Sequence, residues 1–142
     1  MGYKFSDASK RQLATAHQDL QRICNYGISF HDFKVMTGHR NEEDQNRAFA
    51  EGRSKLKWPN GNHNKFPSNA VDLLPFLDGK PIDWNDREAF IYFAGMFMGW
   101  AQILYSLGEI SHLIRWGGDF NRNNKISDEK FQDLVHFELR AV

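Results

Sequence analysis

The sequence predicts an α+β fold: one domain over residues 1–142, with helices packed on a small, mostly antiparallel sheet. Three observations predict it. Apolar residues recur at helical spacing in separate segments, short strand-like runs lie between and after them, and neither a repeat nor a linker divides the chain. A length of 142 residues suits a single core without staples.

In chain order, residues 8–26 read as one amphipathic helix with Leu13, Ala16, Leu20 and Ile23 on a shared face. "FHDFKVM" reads as a strand that Gly38 interrupts. "NEEDQNRAFAEG" gives a short helix with acids in its first turn and Gly52 as its stop. All four prolines lie between residues 59 and 81, which concentrates irregular backbone there. "AVDLL" is a strand within that region, and "PFLDGKPIDW" a turn or hairpin leading away from it. Asn85 or Asp83 caps a long apolar helix that runs to about Leu107 and stops at Gly108. "HLIRW" is a further strand, "GGDFNRNNKISDEK" a long polar loop, and "VHFEL" the closing strand.

Composition narrows the function classes. Lys plus Arg and Asp plus Glu both number 18, so bulk charge carries no nucleic-acid footprint and no nucleic-acid partner is expected. Cys24, the single cysteine, falls at helical spacing from Leu13, Ala16 and Leu20, as a reduced core thiol would. The run "AFIYFAGMFMGWAQILYSLG" is long enough to raise the membrane question. It carries Gln102 and has other helices to pack on, so the expectation is a buried central helix and no membrane partner. "MGYKFSDASKRQLATA" lacks the apolar stretch of a signal peptide, and a monomer kept in the cytoplasm is expected.

Two places could carry chemistry. In the closing strand, His136 and Glu138 share one face while Phe137 and Leu139 share the other, and Asp133 stands three residues before His136. A histidine and two acids there suit a metal or acid/base centre, and equally a solvated strand face. In "HNKFPSNAVDLLP", Asp72 sits inside an apolar strand, where an unpaired carboxylate is costly to bury. His63 precedes it by nine residues across a Pro-containing loop that could fold back beside the strand. Two histidines and a carboxylate with an open fourth position make a catalytic zinc set. The other reading pairs Asp72 with Arg40 or Arg115 and leaves His63 an ordinary loop residue.

"GNHNKFPSNAVDLLP", "PIDWND" and "DLVHFEL" together resemble the zinc peptidases that cleave peptidoglycan stem peptides. Among these, the L-alanyl-D-glutamate endopeptidases that phages use as endolysins are the nearer resemblance, ahead of the D-alanyl-D-alanine carboxypeptidases. The pattern of a His, a spacer and "AxD", then an acid, two residues and a His, falls on His63, Asp72, Asp133 and His136; the upstream "GxR" with a nearby Gln falls on Gly38, Arg40 and Gln45. The spacer is longer than the common form by two residues, with "FPS" inside it, and the acid is Asp133 where many relatives have Glu. Lys65 stands where the common spacing would put the histidine.

The resemblance implies a zinc site on the sheet, with His63, Asp72 and His136 as ligands, and Asp133 as the acid/base. It implies Arg40 as the group holding an oxyanion or substrate carboxylate, and Gln45 with Arg40 at the substrate. The expected activity is zinc-dependent hydrolysis of the L-alanyl-D-glutamate bond in peptidoglycan for host lysis, with release to the wall through another protein's membrane lesion. The alternatives are a D-alanyl-D-alanine carboxypeptidase and an inactive, calcium-dependent wall-binding module on the same fold. The polar loop offers Asp119, Asn121, Asn123, the Lys125 carbonyl and Asp128 at a spacing like the first half of an EF-hand, so regulatory calcium is expected there. Asn124 replaces the turn glycine, and Lys130 the bidentate acid. His17, His31, His39 and His112 have no motif context.

Overall fold

The computed structural model describes residues 2–127 and 132–140. Helices α1 (Asp7–Leu13) and α2 (Gln18–Gly27) precede strand β1 (Phe33–Thr37) and helix α3 (Glu42–Ala50). A single 3-10 turn, Asn62–Asn64, leads to β2 (Ala70–Leu77) and β3 (Lys80–Pro81). The long helix α4 (Arg87–Ser106), β4 (Ile114–Trp116) and β5 (His136–Leu139) complete the order. The sheet runs β1-β2-β5-β4 with β3 paired to β2, and every ladder in it is antiparallel. The expected α+β architecture is the observed one.

The expected single helix over 8–26 is two. The apolar stripe stays in phase through the break, so periodicity alone does not show it. Side chains divert the backbone instead: the Thr15 hydroxyl donates to the Gln12 carbonyl (2.6 Å) and accepts from the His39 N–H (2.8 Å). Ala16 bridges Ser68, and His17 caps α2 by accepting the Asp19 N–H at its Nδ1. A second correction concerns α4. Its cap is Asp86, which accepts the Ala89 N–H; Asp83 closes a local turn by accepting from Asn85.

Alternation sorts β2 and β5 into two faces. Val71, Leu73 and Phe137 enter the main core with Leu20, Ile23, Cys24, Phe93 and Phe97. The Phe97 and Phe137 rings lie 4.3 Å apart, so α4 packs directly beneath β5. Among the described residues α4 is the one helix long and apolar enough to cross a membrane, and its Phe90, Phe93, Phe97, Trp100 and Leu104 are buried inside the domain. Cys24 is fully buried, as expected. With Val71 and Phe137 committed to the core, Asp72 and His136 necessarily share the opposite face, directly across the β2–β5 ladder.

Candidate metal centre

Each donor reaches the site by a local device. Asp72 comes from the middle of β2, and His136 opposes it at the start of β5. His63 rides the Asn62–Asn64 turn, which Asn64 braces: its Oδ1 accepts the Gly61 N–H, and its Nδ2 donates to the Arg40 carbonyl and to Gln45 Oε1. The longer His63–Asp72 spacer is taken up by residues 65–67, all exposed, and the Asn69 N–H returns to the Asn62 carbonyl (2.9 Å). His63 therefore faces the strand, and Lys65 points outside.

The three donor atoms form a nearly equilateral triangle. His63 Nε2 lies 3.1 Å from Asp72 Oδ1 and 3.3 Å from His136 Nδ1, and His136 Nδ1 lies 3.3 Å from Asp72 Oδ1. Tetrahedral zinc with ligands at about 2.0–2.1 Å requires edges of about 3.3 Å. The outward nitrogens fix which atoms carry protons. His63 Nδ1 donates to the Gly38 carbonyl (2.7 Å), and His136 Nε2 donates to Glu138 Oε1 (2.7 Å). Once both rings are neutral, as metal binding requires, three lone pairs converge with no proton among them. Such a triangle can take up a cation or a proton, and two imidazoles with a carboxylate suit a borderline metal ion. The residues present fit a metal ion in the His63–Asp72–His136 group.

Electrostatics say the same. Burial disfavours the Asp72 carboxylate, but the charge of His63 and the hydrogen bond from His136 outweigh it and hold the carboxyl well below its usual range. Burial also works against a charged His136, yet Asp72 and Glu138 push its pKa up to about 10. The cage thus binds a proton strongly where no metal neutralises it. Glu138 is drawn down to about 2, against burial, first by His136 and then by Arg115.

Asp133 responds in the opposite sense. Burial and then the charge of Asp72 raise its pKa, with His136, His63 and Arg40 pulling the other way. It therefore feels the charges of Asp72, of both histidines and of Arg40. The backbone fixes it: the Asp133 N–H donates to the Gly117 carbonyl (2.8 Å), and the His136 N–H to the Asp133 carbonyl (3.1 Å). A Cβ on Gly117 would collide with the Asp133 carbonyl, so this approach needs glycine.

The two readings of Asp72 both hold in part. Its Oδ2 pairs with Arg40 (3.2 Å) while Oδ1 faces the histidines. Arg115 goes elsewhere, gripping Glu138 Oε2 at 3.0 and 2.6 Å. Gln45 lies under Arg40. It is 1% exposed, its Oε1 accepts from Arg40 and its Nε2 donates to Ser54 and Leu56, so it holds Arg40 in place. Sequence reasoning missed the Gly38 carbonyl, Asn64 and the Arg115–Glu138 clamp. Alternation put Glu138 beside His136, but Arg115 opposes Glu138 only through the β4–β5 pairing, which spacing does not reveal.

In the polar loop the Asp119 carboxylate accepts the Asn123 and Asn124 N–H groups, and Asn123 Oδ1 accepts from Lys125. Asn124 takes the left-handed φ of 65° that the missing glycine would supply. Asp128 lies outside the described residues.

Comparisons with known proteins agree with this geometry. The model of a family described as "Phage L-alanyl-D-glutamate peptidase" matches residues 1–140. The chain is 32% identical over 134 residues to the L-alanyl-D-glutamate peptidase of Escherichia phage T5, covering 91% of this chain and 90% of that relative. The solved structure of the L-Ala D-Glu endopeptidase ChiX of Serratia marcescens superposes with a TM-score of 0.68 over 96% of this chain and 90% of that one, a likeness of fold at 21% identity. With a His–Asp–His triangle on the central strands and a match that runs through all three of its residues, the chain belongs to the phage L-alanyl-D-glutamate peptidase family.

Proposed function

We propose that this protein is a zinc-dependent endopeptidase that hydrolyses the L-alanyl-D-glutamate bond of peptidoglycan stem peptides, acting as a phage endolysin. The observation that carries the reading is the triangle of three donor atoms, His63 Nε2, Asp72 Oδ1 and His136 Nδ1, with edges of 3.1–3.3 Å. Family membership and the activity named for the T5 relative support the choice of bond.

Bound in the triangle, zinc supplies a Lewis acid for the scissile carbonyl and acidifies water toward a pKa of ~7. Asp133, with its raised pKa, takes the proton from the attacking water and returns it to the leaving amine. Arg40 stands beside Asp72, tethered through one guanidinium nitrogen to Gln45, and presents a fork suited to a developing oxyanion or a substrate carboxylate. Gly38 and Glu138 keep the two imidazoles in the tautomers the site requires. As an endolysin the protein acts on the wall after another protein opens the membrane.

Digestion of purified peptidoglycan followed by mass spectrometry of the fragments tests this reading. New amino-terminal D-glutamate and carboxy-terminal L-alanine are expected. Release of free D-alanine would instead mark a carboxypeptidase, and no release by zinc-loaded protein would mark a binding module.

A further inference from the structure

Two of the histidines without motif context meet at a buried carboxylate, one of them from 93 residues further along the chain. His17 caps α2, Asp19 lies in its first turn, and His112 sits in the segment just before β4. Asp19 is 4% exposed and held in one orientation: the Ser111 N–H and hydroxyl donate to its Oδ2 at 3.0 and 3.2 Å, and His112 Nδ1 lies 2.8 Å from the same oxygen. The His17 and His112 rings stand 5.0 Å apart at 77°. One donor atom from each of the three residues lies within 4.8 Å of the other two. Both histidines are partly exposed, so an ion can enter and water can complete its shell.

We propose that His17, Asp19 and His112 form a second site for a divalent transition-metal ion of the zinc class, separate from the His63–Asp72–His136 triangle. The donor chemistry selects the ion: two imidazoles and one carboxylate favour zinc, cobalt or nickel over calcium or magnesium. Drawing donors from within 4.8 Å to the about 3.3 Å edge of a tetrahedral site moves each by under about 1 Å, within reach of side-chain rotation. Arg22 lies 3.9 Å from Asp19 Oδ1 but its side chain is 45% exposed, so it can yield to an incoming cation.

The site joins two segments that lead to the sheet. The His17 N–H donates to the Ser68 carbonyl just ahead of β2, while His112 precedes β4 and its Arg115. An ion held here fastens the start of α2 to the lead-in of β4. Its role is to stabilise the fold, and it takes no part in the reaction.

The test uses His136→Ala, which disables the first site, titrated with zinc alone by calorimetry. This variant is expected to take up one zinc saturably, and zinc is expected to raise its melting temperature. Adding His112→Gln or His17→Asn should remove both effects; asparagine keeps the helix cap, so loss of folding does not confuse the result. The histidine ring resonances of His17 and His112 should shift on zinc addition to His136→Ala. The proposal is overturned if His136→Ala binds no zinc at millimolar concentration, or if uptake and melting temperature are the same in the double variants.

Discussion

Glu138 is the most informative position to perturb, because it acts on the metal only through His136. Its Oε1 takes the His136 Nε2 proton at 2.7 Å and its Oε2 takes Arg115 at 2.6 Å. Glutamine has one acceptor oxygen for these two donors, so Glu138→Gln satisfies one and leaves the other facing an amide N–H. Glu138→Leu satisfies neither. Loss of a partner that orients a ligating histidine costs about 10–100-fold in metal affinity, or about 1.4–2.7 kcal/mol. Leucine is expected at the upper end of that range and glutamine at the lower. Arg115→Met should cost less than either, since the Arg115 side chain is 34% exposed and its ion pair is partly screened by solvent. Zinc competition against a chromophoric chelator at neutral pH measures all three, with circular dichroism to verify folding. Wild-type affinity in Glu138→Leu would refute the claim that the Glu138 bond fixes the His136 tautomer.

Asp133→Asn should keep zinc and fold while losing about 10²–10⁴-fold in wall hydrolysis; near-normal turnover would remove Asp133 from its proton-transfer role. In the metal-free protein, His136 has a folded pKa raised to about 10, so it contributes stability that is complete below its unfolded pKa of about 6.5 and is lost as pH rises toward 10. Urea unfolding of metal-free protein across that window should show the decline, and His136→Ala should flatten it. Calcium at millimolar concentration should shift the amide resonances of residues 117–127 and raise wall hydrolysis without changing zinc content, and Asp119→Ala should abolish both responses. A loop unmoved by calcium would reduce that stretch to a solvated turn.

What the sequence made legible follows from the range of the physics involved. Strand alternation needs only neighbouring residues, so it placed His136 and Glu138 on one face and Phe137 in the core. The cost of burying a lone carboxylate flagged Asp72 before any partner was known. The α1–α2 break stayed hidden because its cause, Thr15 bonding His39 and Ala16 bridging Ser68, is tertiary. Gln45 lay among polar helix residues and was expected with Arg40 at the substrate, but its burial beneath Arg40 depends on how α3 packs, which spacing does not reveal. The His17–Asp19–His112 cluster could not be read at all: its members are 93 residues apart between Asp19 and His112 and meet only through the fold.

The central claim is atomic: a metal held by His63 Nε2, Asp72 Oδ1 and His136 Nδ1. An anomalous difference map collected at the zinc edge from crystals of the zinc-loaded protein tests it most directly. The account predicts a peak about 2.0–2.2 Å from those three atoms, with Lys65 turned away and the outward nitrogens still bonded to Gly38 and Glu138. A map with no peak inside the triangle, or with zinc on His136 Nε2, would contradict it.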